Sequence, residues 1–496
     1  MNTNKKWIHI LTIAYVYIPI IIFLLGWCKL IWAIPTLIGI IFTTTKLIND
    51  KDFEEGGHDI IISPMILSIA LLFIFAMLTF MGMSGIFPQT GDHYKHNSVL
   101  EDLSTHTFPV YYTKAETSML TYYIGHYLVP SIFGKIFGNF KIANIAMTIW
   151  SMLGLTLCFI HLIRVIEAKH WKKQLLALGM MFFFSGALPL CHAVLECIPG
   201  ITITLPNSTH WVATTNCDLQ YRSNLVMLRW AFPQVIVPWI ATLLLFERRK
   251  SVKYYCFLLI PVALFGTFPF ASLALVALLL AMVNLFKKKI CIRDIFSRYN
   301  IISIITLGLI IAIYLWGNVS AEKPSICSFR IQNYPGRHIL TYLCFIFFMF
   351  GIQAFCIFKK YKKDTLYYIT VILLMIIPFF RMGYFNDFVM SSSIPLLFIL
   401  MVMVLKFLFD SDSSFAFMKG ILITLLCIGM IYPSAELVLN IKDGNQEDNL
   451  TNMTYSLEKY SDRANDNFRE DNRYNYFTYD LEEQIFYKYI ARKRIQ

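Results

Sequence analysis

The residues best suited to chemistry sit in one polar interval between apolar runs: Gly91-Asp92-His93-Tyr94-Lys95-His96-Asn97, continuing through Glu101-Asp102-Leu103 to Phe108-Pro109-Val110-Tyr111-Tyr112. Two acids besides Asp92, two imidazoles and an amine fall within residues 92–102, next to hydrocarbon, where an unpaired charge is costly. Grouped in this way they suggest a carboxylate that works on a polar substrate at a membrane surface. The plainer role for Asp92 is to cap a short helix patterned by Val99, Leu100 and Leu103.

Something must hold that interval at the end of a scaffold, and composition says what the scaffold is. Of 496 residues, 57% are hydrophobic, 16% aromatic and only 15% charged, too apolar a balance for a soluble protein of this length. Runs of about 20 apolar residues recur, each able to cross a hydrocarbon core of roughly 30 Å. The expected fold is an all-α polytopic membrane protein. A formal charge of +12 would point to nucleic acid in a soluble chain. Here the basic residues cluster between apolar runs, as the positive-inside rule requires, and nucleic acid is set aside.

Basic clusters at 164–173, 248–253, 287–298 and 359–363 mark one side of the bilayer, expected to be the cytoplasm, together with the N-terminus at Lys5 and Lys6. Trp7 to Trp27 ends in bulky residues with no small-residue cleavage site, so it reads as a retained span. Further spans are expected near 29–48, 59–82, 142–163, 174–194, 225–246, 300–316, 338–358, 366–380, 391–409 and 415–434, with a hairpin of two short helices broken near Gly266-Thr267-Phe268-Pro269. About thirteen crossings result. The apolar but aromatic run Met119–Gly138 is read as a helix lying along the outer surface. A transmembrane domain then covers 1–440, with outer loops at 83–141, 195–224, 317–337 and 381–390, and 441–496 forms a small outer tail. Cys197 and Cys217 share an outer loop and are within reach of pairing by spacing alone. Walker, Rossmann, zinc and Gly-x-Ser-x-Gly signatures are absent.

An acid in the first large outer loop, the aromatic-proline step Phe108-Pro109-Val110-Tyr111-Tyr112, Tyr122-Tyr123 on a surface helix and the exit Gly134-Lys135 together resemble the GT-C superfamily of membrane glycosyltransferases. The likeness covers roughly residues 59–170 and the overall span pattern, and it departs from the family in having two crossings before residue 50. It implies a GT-C-like fold and a polyprenyl-phosphate-linked sugar as donor. It also implies a cell-envelope glycan or lipid as acceptor, and a place in the bacterial cytoplasmic membrane among its lipids. Asp92 then matches the family's general base, and direct displacement inverts the anomeric centre.

A lipid phosphate as leaving group calls for an outer guanidinium, which can offer it paired hydrogen bonds. Arg222, Arg229, Arg337 beside His338, and Arg381 are the candidates. Arg337 is preferred because Pro335-Gly336 fixes the backbone just before a span. Asn386-Asp387 offers a second polar contact for sugar, and His93, Lys95, His96, Glu101 and Asp102 surround the base. Each arginine has the simpler role of snorkelling to headgroups or pairing with Asp218, Glu322 or Asp387. No metal or other cofactor is expected, because an acidic metal motif is missing from the second outer loop. Two other functions compete: a surface-polysaccharide polymerase or ligase using the same lipid carrier, and a transporter, which would need charge at mid-membrane and paired broken helices.

Overall fold

A computed structural model describes residues 5–50, 60–87, 89, 92–113, 117–204, 208–214, 217–248, 252–319, 329–334, 336–383, 386–443, 456–457 and 476–493. Outside them lie Gly91, Glu322, Pro335, Tyr384, Phe385, the sequons at Asn207, Asn449 and Asn452, most of the expected tail, and the side chain of Cys217 with its proposed pairing.

The chain is a helical, multi-pass membrane protein. Among the described residues, eight helices are long and apolar enough to cross a bilayer, and up to ten if each of two bent pairs forms one span. Three further apolar helices, Pro64–Phe80, Val252–Leu264 and Thr365–Phe379, are shorter. Two of the apolar runs are bent rather than straight. Trp171–Phe183 and Leu188–Glu196 meet at 45°, and Asn224–Gln234 meets Ile236–Glu247 at 100°. Pro189 and Pro233 sit at these breaks, where a missing N–H ends one helix and starts the next.

Asp387–Leu408 is the central post: 94% of its apolar window is buried, against 28% to 67% in the other long spans. It packs against Thr267–Phe286, Ile236–Glu247 and Thr365–Ile376, with Trp239 stacked on Phe398 at 4.7 Å. At the periphery, Leu30–Ile48 turns Ile31, Ile34, Ile38 and Ile41 outward, a stripe at helical spacing that suits lipid. Lipid tails are as apolar as Leu, so close packing rather than water exclusion joins such helices. Gly154 shows how: a Cβ there would come within 2.3 Å of the Tyr15 hydroxyl and 2.6 Å of Ile236, so glycine lets three helices touch.

The end of the bundle opposite the basic clusters carries short helices and strands. Gly125–Phe137, at 13 residues, spans only about 20 Å and is not a crossing. The described part of the expected tail, residues 476–493, packs as a small element against this end. Phe477–Thr478 pairs with Ser118–Leu120, which pairs with Tyr111–Tyr112, in one antiparallel sheet. The Arg492 N–H also donates to Trp27 O at the end of the first span. The last long helix runs through residue 440 to Asp443, so the expected boundary falls inside a helix.

Candidate functional site

At the end of the bundle that carries the short helices and strands, a cavity of about 230 Å³ opens between the Asp92–Thr105 helix, the start of Asp387–Leu408 and the strand ends. Asp92, Lys95, His96, Arg222 and Asp387 line it, with Tyr122, Tyr123, Tyr476, Trp230, Gln234, Asn318 and Ser391. Residues 300 positions apart in sequence therefore face one space.

Asp92 opens its helix, and its Oδ1 accepts from Lys95 Nζ at 3.0 Å, one turn on. Its side chain stays 44% exposed, so the pair leaves it open to the cavity. Burial pushes the carboxyl pKa up, but Lys95 first and Arg222 further off outweigh this and hold it below the usual Asp value, so Asp92 is ionised at neutral pH. His96 on the next turn has no such freedom. Its Nε2 faces the Trp230 carbonyl at 3.1 Å and must donate, so Nδ1 accepts from the Tyr127 hydroxyl at 2.5 Å. Burial lowers its pKa, and the ring stays a neutral, fixed wall.

Arg222 precedes the Asn224–Ala231 helix, whose Ser223 caps the Val226 N–H. It is 9% exposed, its Nε donates to Gln220 Oε1 at 2.9 Å, and its guanidinium lies 5.7 Å from the Trp211 ring. Burial lowers its pKa to about 10 against the pull of Asp92, Asp387 and Glu436, so it remains charged at neutral pH. Among the described residues no carboxylate comes within 4.0 Å of it. Gln220 also donates through Nε2 to Asn386 O at 3.3 Å, tying Arg222 to the turn that places Asp387. Asn386 in that turn has φ 56°, a region Asn tolerates. Gly383 has φ 87°, and a Cβ there would strike Asp387 Oδ2 at 2.5 Å.

The aromatic wall comes from the sheet. Register pairs Leu120 with Phe477, and the Thr121 N–H donates to Tyr476 O at 2.8 Å, so Tyr122 and Tyr476 leave the strands side by side with rings 4.4 Å apart. Tyr122 donates to Tyr123, whose hydroxyl also accepts from Gln234 Nε2 at 2.7 Å. Asn318, one of the sequons, donates its amide to Thr121 O at 3.1 Å on the cavity wall.

The remaining expected residues lie elsewhere. His93 is buried beside Trp230, with rings 6.2 Å apart. Asp102 is fully buried, accepting from the Tyr112 hydroxyl and the Leu457 N–H at 2.8 Å each, so it anchors the C-terminal segment. Burial and Asp102 raise the Glu101 pKa, and Glu101 is not on the wall. Arg229 is committed to Glu436 and Asn440, both at 2.7 Å. Arg337, preferred for phosphate, donates to Pro199 O at 2.6 Å outside the cavity, and His338 starts the helix beyond it. Arg381 faces Asp218 at 3.4 Å while its neighbours Met382 and Gly383 line the cavity. Asn386 supports the site through the backbone turn described above, with its amide on Asp218 O at 3.2 Å.

Sequence reasoning missed Gln220, Gln234 and Tyr476. Gln220 is one of several polar groups between Asp218 and Asn224 with nothing to set it apart, Gln234 is a single amide in an apolar run, and Tyr476 lies in a polar segment without periodicity. Comparison with protein-family models, with curated proteins and with solved structures finds no match to this chain.

Proposed function

We propose that this protein is a membrane glycosyltransferase of GT-C-like architecture, with about thirteen crossings and a cytoplasmic N-terminus. It moves a sugar from a polyprenyl-phosphate carrier to a cell-envelope glycan or lipid on the outer face. The observation that carries the reading is that Asp92, Arg222 and Asp387 share one cavity walled by tyrosines. At about 230 Å³ it is smaller than the roughly 300–1,000 Å³ of drug-sized sites and suits one sugar ring and its phosphate, with the polyprenyl tail left in the bilayer.

In this reading an acceptor hydroxyl attacks the anomeric carbon while Asp92 takes its proton, the carbon–oxygen bond to phosphate breaks, and the phosphate leaves with the electron pair. Inversion follows from direct displacement. Arg222, rather than Arg337, faces the leaving group. Charge builds on the phosphate as the bond breaks, so a guanidinium in a low-dielectric site favours the transition state over the bound donor. Asp387 accepts from a sugar or acceptor hydroxyl, and the tyrosine rings give the apolar face of the sugar a surface.

The test is a proteoliposome assay with a polyprenyl-phosphate-linked sugar and a glycan acceptor, reading release of free polyprenyl phosphate. Arg222→Ala should lower turnover more than donor affinity, and Arg222→Lys should restore only part, because a point charge cannot make paired contacts. Movement of an unmodified solute across the bilayer with no lipid product at any acceptor concentration would replace this reading with transport.

A further inference from the structure

Away from the cavity, at the end of the bundle that carries the basic residues, three helices converge on a second polar cluster that the proposed transfer does not use. His9 lies in the first turns of Lys5–Trp27, His161 near the end of Phe140–Val165, and Glu247 closes Ile236–Glu247. Their ligand-capable atoms all lie within 4.8 Å of one another, and the three side chains are 1% exposed or less. We infer that His9, His161 and Glu247 bind a divalent transition-metal ion of the zinc class.

The hydrogen bonds lead to this. Thr12 Oγ1 lies 2.8 Å from Ile8 O, to which it donates, so its oxygen accepts from His161 Nε2 at 2.9 Å. That fixes the proton on Nε2 and points the Nδ1 lone pair at Glu247 Oε1, 3.0 Å away. Two acceptors facing each other require a cation between them. A proton on Nδ1 would join only that pair. His9 Nε2 lies 3.4 Å from Glu247 Oε2, which accepts no hydrogen bond among the described residues, so these atoms meet as neighbours around a common point. Ligand bonds of about 2.0–2.1 Å in a tetrahedron place ligand atoms roughly 3.3 Å apart, which the separations of 3.0 and 3.4 Å bracket. Thr12 supplies the outer hydrogen bond that orients a metal-binding imidazole.

Three protein ligands leave a fourth position, and its occupant is set by charge. Arg164, 1% exposed, has its Nε 3.9 Å from Glu247 Oε1, and neither Nη finds a hydrogen-bond acceptor. An ion of charge +2 beside that guanidinium is sustained by an anionic fourth ligand, hydroxide or chloride, which would also give Arg164 its acceptor. Nothing in the sequence marks the set, because positions 9, 161 and 247 share no motif.

The test uses the full-length protein in detergent. Elemental analysis should find about one equivalent of metal, chelation should lower the melting temperature, and zinc chloride should restore it. Cobalt(II) added after chelation should give the visible bands of a tetrahedral site. His9→Ala and His161→Ala should lose the metal, Thr12→Val should weaken zinc binding about 10- to 100-fold, and His126→Ala, a buried histidine elsewhere, should keep it. Protein that is free of metal, with a melting temperature indifferent to chelator and zinc and no cobalt bands, would overturn the site and leave a protonated His161–Glu247 pair. Metal retained in both histidine variants would overturn it equally. Should those variants fail to fold, the wild-type chelation and cobalt results decide alone.

Discussion

At the end proposed to face outward, Asp92, Lys95, Arg222 and Asp387 face open space, and Arg222 has no carboxylate within ion-pair distance among the described residues. At the other end, Glu247 lies between His9, His161 and Arg164 with its side chain fully buried. Both sets join residues from three or more elements, yet only the first leaves charge for a diffusing substrate to meet. Burying ions is worth the desolvation only when partners are close. The cluster at Glu247 meets that condition with its own close side chains and the metal inferred above, sealed from solvent, and the cavity leaves it to a diffusing substrate. Charge count therefore says little about function in this chain, while access to a cavity separates a reacting site from a structural or metal-holding one.

The largest expected effect belongs to the outer set. Asp92→Asn keeps the shape and removes the base, so transfer should fall about 100- to 10,000-fold with the melting temperature unchanged. Wild-type turnover in the purified variant would reduce Asp92 to a surface ion pair with Lys95. The inner set should behave in the opposite way. Glu247→Ala leaves Arg164 buried without the one carboxylate that lies within ion-pair distance of it among the described residues, a loss of about 3–5 kcal/mol for a broken buried pair, read as a large drop in melting temperature in detergent. An unchanged melting curve would remove the contrast drawn here.

Acid pH sharpens the same comparison. The Asp92 pKa is depressed in the folded state, so it stays ionised, and active as a base, down through the ordinary carboxylate value. Its contribution to stability is likewise present above the unfolded value and lost only as pH falls through the lower folded one. The acid limb of turnover should therefore lie below about pH 4. A limb near pH 6 would move the base to another group. The smallest effect is expected at Arg337, which donates to Pro199 O outside the cavity: Arg337→Ala should change turnover less than about twofold, as exposed charges usually do. A loss as large as that of Arg222→Ala would return the phosphate contact to Arg337.

The sequence alone determined that this chain spans a membrane repeatedly, because apolar runs and basic stops carry that information locally. It also placed the break before Thr267, where Gly266 and Pro269 interrupt the pattern, and the non-crossing helix Gly125–Phe137. Local chemistry singled out Asp92, Lys95 and His96, which lie within two turns of one helix. Tertiary structure decided the rest. Arg222, not Arg337, faces Asp92, because Gln220 ties it to the Asn386 turn, and no spacing reports a contact between residues 220 and 386. Asp102, as acidic as Asp92 and ten residues on, went to the Tyr112 hydroxyl and the Leu457 N–H instead. Tyr476 reached the cavity through strand register with Leu120, and His9, His161 and Glu247 met because three helices end at one depth. The physical reason is the same throughout. Apolar periodicity fixes which segments enter the bilayer, but which polar groups meet depends on helix ends and strand pairings far apart in the chain.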